Sequence, residues 1–125
     1  MVSHVRSSAG DMELHQTDRI RSKGGLFHFL MGDNGDLELY KKEAGEGGVS
    51  HWRTETDGKG DGPYKAVLTE DGNFKVVDGG DNTLWETGTG GQGEGPYKVK
   101  VQEDGNVVLY DKDRNATWAT GTNGI

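Results

Sequence analysis

The sequence predicts an all-β protein built from three repeated small antiparallel sheets. The pattern W-x-T-x-T begins at Trp52, Trp85 and Trp118, so it recurs every thirty-three residues. Self-similarity at a fixed period of this size is typical of repeat architectures. No apolar pattern with helical spacing persists without an interrupting glycine, whereas short alternating runs are separated by Gly, Asp and Asn. These features favour strands and tight turns over helices.

Two further motifs repeat with the same offset. Gly-Pro-Tyr-Lys occurs at residues 62–65 and 95–98, and Glu-Asp-Gly-Asn at 70–73 and 103–106. In the first unit Asp-Asn-Gly-Asp at 33–36 takes the place of the latter motif, and a four-residue insertion around 43–48 lengthens the next loop. We therefore expect a flexible segment at 1–10 and one domain at 11–125, with repeats at about 26–57, 58–90 and 91–123.

Five sets of equivalent positions are apolar or aromatic in every unit, as a buried strand face requires. The D-G-N tripeptides fall where a tight hairpin turn or a bulge would re-aim the strand. One unit alone cannot bury its apolar face, so we expect the three to close into a prism or barrel with the tryptophans near a pseudo-threefold axis. The five sets are Phe27/Tyr64/Tyr97, Phe29/Ala66/Val99, Met31/Leu68/Val101, Leu37/Phe74/Val107 and Leu39/Val76/Leu109.

Composition excludes several classes of function. A net charge of −7 argues against a nucleic-acid partner, because phosphate requires a basic surface. No run approaches the roughly 20 apolar residues of a membrane span, so no membrane insertion is expected. The chain has no cysteine, and its four histidines (His4, His15, His28 and His51) do not cluster, so we expect no metal and no cofactor. Residues 1–10 lack an apolar run, which predicts a cytoplasmic protein or one released by a non-classical route.

The stretch 102–110 holds the candidate binding residues. In an extended strand its alternate side chains, Gln102, Asp104, Asn106, Val108 and Tyr110, would share one face, while the intervening positions are largely apolar. That face would offer two amides, a carboxylate, a phenol and one apolar patch. Mixed donors and acceptors of this kind suit a neutral polyhydroxylated ligand, and a sugar is the obvious candidate.

These five residues match Q-x-D-x-N-x-V-x-Y, and together with the threefold repeat the chain resembles the bulb-type mannose-binding lectins of the β-prism II fold. The resemblance covers roughly 11–124, includes W-A-T-G-T at 118–122, and assigns the strand around residues 14–16 to the third sheet. It implies mannose or high-mannose glycans as ligand. Gln102, Asp104 and Asn106 would hold hydroxyls, Tyr110 would bond the next hydroxyl, and Val108 would pack on ring carbons. Members often dimerise by exchanging the C-terminal strand, and the tail 120–125 is compatible with a homodimer.

The equivalent positions in the other two units depart from the motif. The second unit keeps Asp71 and Asn73, which predicts a weaker carbohydrate site. In the first unit only Tyr40 is unchanged, and that site is expected either not to bind mannose or to have an altered specificity. The full sets are Thr69, Asp71, Asn73, Lys75 and Val77 in the second unit, and Gly32, Asn34, Asp36, Glu38 and Tyr40 in the first.

An enzyme is not expected. Glycosidases need two carboxylates facing each other across a cleft, whereas Glu103 and Asp104 lie on opposite faces of one strand in this interpretation. No nucleophile motif or phosphate-binding loop is present, so no catalytic residue is assigned. The alternative function is a β-prism protein–protein interaction module with decayed sugar sites, in which Asp36 and Glu38 would face a basic partner.

Overall fold

The computed structural model describes residues 4–6 (backbone only), 12–42 and 48–125, and within these residues it contains twelve β-strands and no helix. The inserted loop residues 43–47 lie outside the described residues. The strands are β1 His4–Arg6, β2 Met12–His15, β3 Arg19–Arg21, β4 Phe27–Met31, β5 Leu37–Lys41, β6 Val49–Arg53, β7 Lys65–Leu68, β8 Phe74–Val77, β9 Thr83–Glu86, β10 Lys98–Val101, β11 Val107–Tyr110 and β12 Ala116–Ala119.

The strands form three four-stranded antiparallel sheets, ordered β3-β4-β5-β6, β2-β7-β8-β9 and β1-β10-β11-β12. Each sheet takes three consecutive strands from one repeat and a fourth from the N-terminal part of the chain. In each repeat the third strand pairs with the second strand, and the pairing register shifts at an equivalent position. The shifts lie between Leu39/Tyr40, Val76/Val77 and Leu109/Tyr110. The predicted all-β fold of three small antiparallel sheets, the β-prism II arrangement, is confirmed.

The assignment of residues 14–16 to the third sheet is wrong. Strand β2 pairs with β7 of the second repeat, with Leu14 opposite Ala66. The outer position of the third sheet belongs instead to β1, whose residues 4–6 fall inside the segment 1–10 expected to be flexible. The rest of that segment lies outside the described residues. The error arose because β1, β2 and β3 have only three or four residues each and carry no repeat signature.

The core lies between the three sheets and contains all fifteen predicted positions, together with Leu14 and Ile20 from the N-terminal strands. The tryptophans meet as predicted. Trp52, Trp85 and Trp118 pack edge to face with ring centroids 5.5–5.7 Å apart in all three pairs. This geometry adds favourable ring contacts to the burial of apolar surface. It ties the three sheets together along the pseudo-threefold axis.

Candidate functional site

The candidate site follows a hairpin in the third sheet, and its first half is a turn. Strand β10 ends at Val101 and β11 starts at Val107, directly opposite, so the expectation of one extended strand from Gln102 to Tyr110 is wrong. The turn is closed by the Gln102 amide, which donates to the Asn106 carbonyl at 2.9 Å. Gly105 adopts φ 92°, and a Cβ there would lie 3.1 Å from the Thr122 carbonyl oxygen. Of the two predicted possibilities, a tight hairpin turn or a bulge, the D-G-N tripeptide therefore forms the hairpin turn.

The turn nevertheless brings the two ends of the motif together. Nε2 of Gln102 donates a hydrogen bond to the phenol oxygen of Tyr110. Asp104 is exposed, and its Oδ1 accepts from the Asn106 backbone amide at 2.9 Å. Val108 lies between Lys100 and Ala119 in the sheet register and is only 4% exposed. It therefore presents much less apolar surface to a ligand than the sequence suggested.

Asn106 is fixed by the loop that follows β12. Its Oδ1 accepts hydrogen bonds from Thr120 Oγ1 at 3.2 Å, from the Gly121 amide at 3.0 Å and from the Thr122 amide at 3.3 Å. Because the two backbone amides are donors, this side-chain atom must be the oxygen, which settles the orientation of the amide group. The Nδ2 donors are thereby directed away from the loop.

The same loop explains the W-x-T-x-T motif, whose threonines had no predicted role. Thr122 Oγ1 donates to the Gly105 carbonyl at 2.6 Å, and Thr89 and Thr56 do the same to Gly72 and Gly35 at 2.7 and 2.5 Å. In each repeat the two threonine hydroxyls also bond each other at 2.7–2.8 Å. The threonines hold the turn that carries the site residues, and their recurrence beside each tryptophan was the signal that could have identified them.

In the second repeat both expected sugar-binding groups already have partners within the protein. Asn73 is fixed like Asn106, with Oδ1 accepting from Thr87 Oγ1 at 3.2 Å, but its Nδ2 donates to Oε1 of Glu86 at 3.0 Å. The Thr69 hydroxyl donates to Oδ1 of Asp71. A ligand that displaced these contacts would lose about 1 kcal/mol for each hydrogen bond. The weaker site at Asp71 and Asn73 stays a prediction, with an intramolecular partner that competes for each of the two side chains.

The first repeat is occupied by charged and aromatic contacts. Asp36 is 2% exposed and its Oδ1 accepts from the Thr56 amide at 3.0 Å. The Arg53 guanidinium lies 4.0 Å from Asp36 and 3.9 Å from Glu38. The Arg53 guanidinium therefore offsets part of the negative charge on the surface expected to attract a basic partner.

Tyr40, the one unchanged residue of the first unit, is also engaged. Its hydroxyl accepts a 2.6 Å hydrogen bond from Arg19. Its ring stacks on His28 at 5.0 Å with an interplanar angle of 12°. Tyr40 is thus part of a packed cluster and not of an open polar surface.

Two cavities flank the third-repeat site. One of about 440 Å³ is lined by Gln102, Asp104 and their neighbours at the turn. The other, of about 410 Å³, is lined by Tyr110, Lys98, Lys100 and Arg114. The Lys98 ammonium lies 5.9 Å from the centre of the Tyr110 ring. The site is therefore a shallow groove open at both ends of the motif.

The described part of the chain contains no group of three or more His, Cys, Asp or Glu residues placed to hold a metal ion. The same residues include no helix of the length and apolarity needed to cross a bilayer.

Comparison with solved structures places this fold among carbohydrate-binding lectins. The chain is 30% identical to the mannose-specific agglutinin of snowdrop (Galanthus nivalis) bulbs, solved with methyl-α-D-mannoside, and the match covers 97% of both chains with a TM-score of 0.74. It is 27% identical to a monomeric monocot mannose-binding lectin from Gastrodia elata, over 97% and 98% of the two chains, with a TM-score of 0.82. A Marasmius oreades lectin matches at 25% identity over 100% and 95%, with a TM-score of 0.84.

No protein-family model matches the chain, and no curated protein matches it in sequence. The lectin structures nevertheless match this chain in both fold and sequence over nearly its whole length. The protein is a β-prism lectin. It belongs to the bulb-type lectin family.

Proposed function

We propose that the protein binds mannose or mannose-containing glycans through the third-repeat site of Gln102, Asp104, Asn106, Val108 and Tyr110. The observation that carries the proposal is the state of Asn106. Its Oδ1 is anchored by the loop, and its Nδ2 makes no hydrogen bond to the described residues. The Asn106 backbone amide donates to Oδ1 of the exposed Asp104 carboxylate at 2.9 Å, which leaves Oδ2 for a ligand.

The chemistry of the pair fits the hydroxyl that distinguishes mannose. An axial 2-hydroxyl projects from the ring, so it can donate to Asp104 while accepting from Asn106. An equatorial hydroxyl would leave at least one of these groups without its partner, which costs binding free energy. Gln102 and Tyr110 already bond each other, and a neighbouring sugar hydroxyl would insert between them.

The solved relatives support the ligand class. The snowdrop agglutinin was solved with methyl-α-D-mannoside, and a Polygonatum cyrtonema lectin that is 25% identical was solved with a monomannoside. A shallow groove with a few neutral hydrogen bonds gives weak monosaccharide binding, on the order of millimolar. Multivalent glycans would supply avidity. Homodimerisation of this chain stays a prediction, since the Gastrodia relatives are described as monomeric. Analytical ultracentrifugation would test it.

The test is calorimetric titration with methyl α-mannoside and methyl α-galactoside. Asp104→Asn keeps the oxygen that accepts from the Asn106 amide but removes the charged acceptor, so mannoside binding should weaken about tenfold. Asp71→Asn makes the same change in the occupied second repeat and should leave the affinity unaltered. Equal affinity for the two sugars, or an unaltered Asp104→Asn variant, would overturn the proposal.

The protein–protein interaction module receives no comparable support. Its expected contact surface depends on Asp36 and Glu38, and Asp36 is buried while Arg53 lies within 4.0 Å of both carboxylates.

A further inference from the structure

The cavity at the Tyr110 end of the groove is basic, although the protein carries a net charge of −7. Its lining consists of Lys98, Lys100, Arg114 and the Tyr110 phenol, with no carboxylate among them. Lys100 and Arg114 are exposed, and neither has an ion-pair partner within 4.0 Å among the described residues. Positive charge has therefore accumulated on one small surface of an acidic molecule.

The equivalent positions of the second repeat are not basic in the same way. Lys65, which corresponds to Lys98, lies 3.0 Å from Glu13 and 4.0 Å from Asp81. Asp81 itself stands where the third repeat has Arg114, and Val67 stands where it has Lys100. The second repeat, which lacks the intact polar motif, therefore also lacks this set of three cations.

Carboxylates stand near this cavity but do not line it. Asp111 follows Tyr110 in sequence and lines an adjoining cavity with Lys98 and Arg114. Its Oδ1 accepts from the amides of Asp113 and Asn115 at 2.9 Å each. The Glu94 carboxylate pairs with Lys112 at 2.6 Å. Glu103 and Asp104 line the other cavity, at the turn end, and Lys100 lies between the two. Of these two cavities, the one beside Tyr110 is lined by cations without a carboxylate, whereas the one at the turn also contains Lys23, Glu103 and Asp104.

The sheet register places these cations alongside the proposed sugar position. Lys100 is directly opposite Val108, and Lys98 is directly opposite Tyr110. A pyranose held by Gln102, Asp104, Asn106 and Tyr110 would therefore have one edge along β10. A substituent on that edge enters the basic cavity.

We propose that the third-repeat site binds mannosyl residues bearing an anionic substituent, such as a phosphate or carboxylate, which Lys100 and Arg114 contact. The inference rests on the proposed mannose function and narrows its substrate class. The mannose ring supplies stereochemical selection through Asp104 and Asn106, while the cations supply affinity for the charge. Exposed ion pairs contribute modestly, so the charged mannoside should bind about five- to tenfold tighter than the neutral one at low salt. The preference should shrink as salt screens the pairs.

The experiment measures the ratio of Kd for methyl α-mannoside to Kd for its 6-phosphate, with the corresponding mannuronoside as a carboxylate probe and inorganic phosphate as the sugar-free probe. Lys100→Gln/Arg114→Gln should bring the ratio close to one. Lys42→Gln/Lys59→Gln removes the same charge from exposed positions elsewhere and should keep the wild-type ratio. Near-ultraviolet circular dichroism checks that both variants are folded.

Each outcome is decisive. A wild-type ratio near one, or a ratio that survives Lys100→Gln/Arg114→Gln, overturns the inference while leaving neutral mannose binding as proposed. Inorganic phosphate binding as tightly as the phosphorylated sugar overturns it as well, because the sugar would then contribute nothing. If no mannoside binds at all, the proposed function itself fails. The carboxylate probe shows whether the cavity takes anions in general or phosphate alone.

Discussion

Asn73 donates a 3.0 Å hydrogen bond from Nδ2 to Oε1 of Glu86, whereas the equivalent Asn106 has Ala119 at that neighbouring position. Both asparagines are anchored through Oδ1 by the same threonine loop. In the second and third repeats, the residue directly after the motif tryptophan therefore determines whether an intramolecular acceptor competes for the asparagine Nδ2. This position lies outside the nine-residue motif, on the adjacent strand.

The first prediction rebuilds a second site. Thr69→Gln/Lys75→Val/Val77→Tyr restores the motif in the second repeat but leaves Glu86 on Asn73. Adding Glu86→Ala frees the donor, so the stoichiometry of mannoside binding should rise from one to two per chain. Calorimetry or ligand-observed NMR would measure it. The triple variant is the matched control and should keep a stoichiometry of one, and a value of two for the triple variant would contradict the role given to Glu86.

The second prediction concerns the threonine loop. Thr120→Val removes a hydroxyl that bonds Asn106 Oδ1 and accepts from the Val107 amide at 3.1 Å. We expect a loss of about 1–3 kcal/mol in unfolding free energy because the Val107 amide loses its side-chain acceptor, together with weaker mannoside binding. Urea denaturation and calorimetry would measure the two effects.

Two variants serve as its controls. Thr120→Ser keeps the hydroxyl and should retain binding. Thr54→Val deletes the equivalent hydroxyl in the first repeat, where it bonds the Leu37 amide at 3.1 Å. It should lower stability without altering mannoside affinity, so an equal loss of affinity would show that the effect is global.

The third prediction concerns the tryptophan cluster. Trp52 contacts Trp85, Trp118 and Phe29 with ring centroids 5.5–5.9 Å apart. Trp52→Ala should destabilise the fold by about 3–5 kcal/mol, since it removes a large ring from the junction of all three sheets. Trp52→Phe keeps an aromatic ring and should cost less. Thermal unfolding followed by fluorescence of the remaining tryptophans would distinguish the two.

The fourth prediction is a pH dependence of stability at His28. Burial, together with the positive charge of Arg19, holds the pKa of the His28 imidazole below its usual 6.5. The unfolded chain therefore binds a proton at a higher pH than the folded protein does. This contribution to stability is full above pH 6.5 and is lost as pH falls through the folded-state pKa. His28→Gln should remove that part of the pH dependence, measured by urea denaturation from pH 7.5 to 5.

The matched control for this prediction is His51→Gln, at an exposed histidine on the next strand but one. It should leave the slope of stability against pH unchanged. An identical decline in wild type and His28→Gln would show that other groups cause it.

The core and the threefold closure could be predicted from sequence because both depend on side-chain alternation within each repeat. Leu37, Phe74 and Val107, for example, are fully buried at equivalent positions. The order of the N-terminal strands could not, since short segments such as Arg19–Arg21 lack a distinguishing pattern.

The site was predicted only in part, because its geometry depends on contacts between strands. The motif located Gln102 and Tyr110, which the turn brings into contact. The motif gave no indication that Asn73 Nδ2 donates a hydrogen bond to Glu86, or that Asp36 is buried. Such contacts follow from sheet register, which a linear motif does not encode.

Strands β1, β2 and β3 are consecutive in the chain, yet each completes a different sheet. A single repeat cut out of the protein would lack both its fourth strand and two of the three clustered indole rings. The protein is therefore not a modular array from which one binding unit can be excised or to which another can be appended. Further binding sites can therefore be created by substitution within the existing sheets, but not by duplicating a repeat.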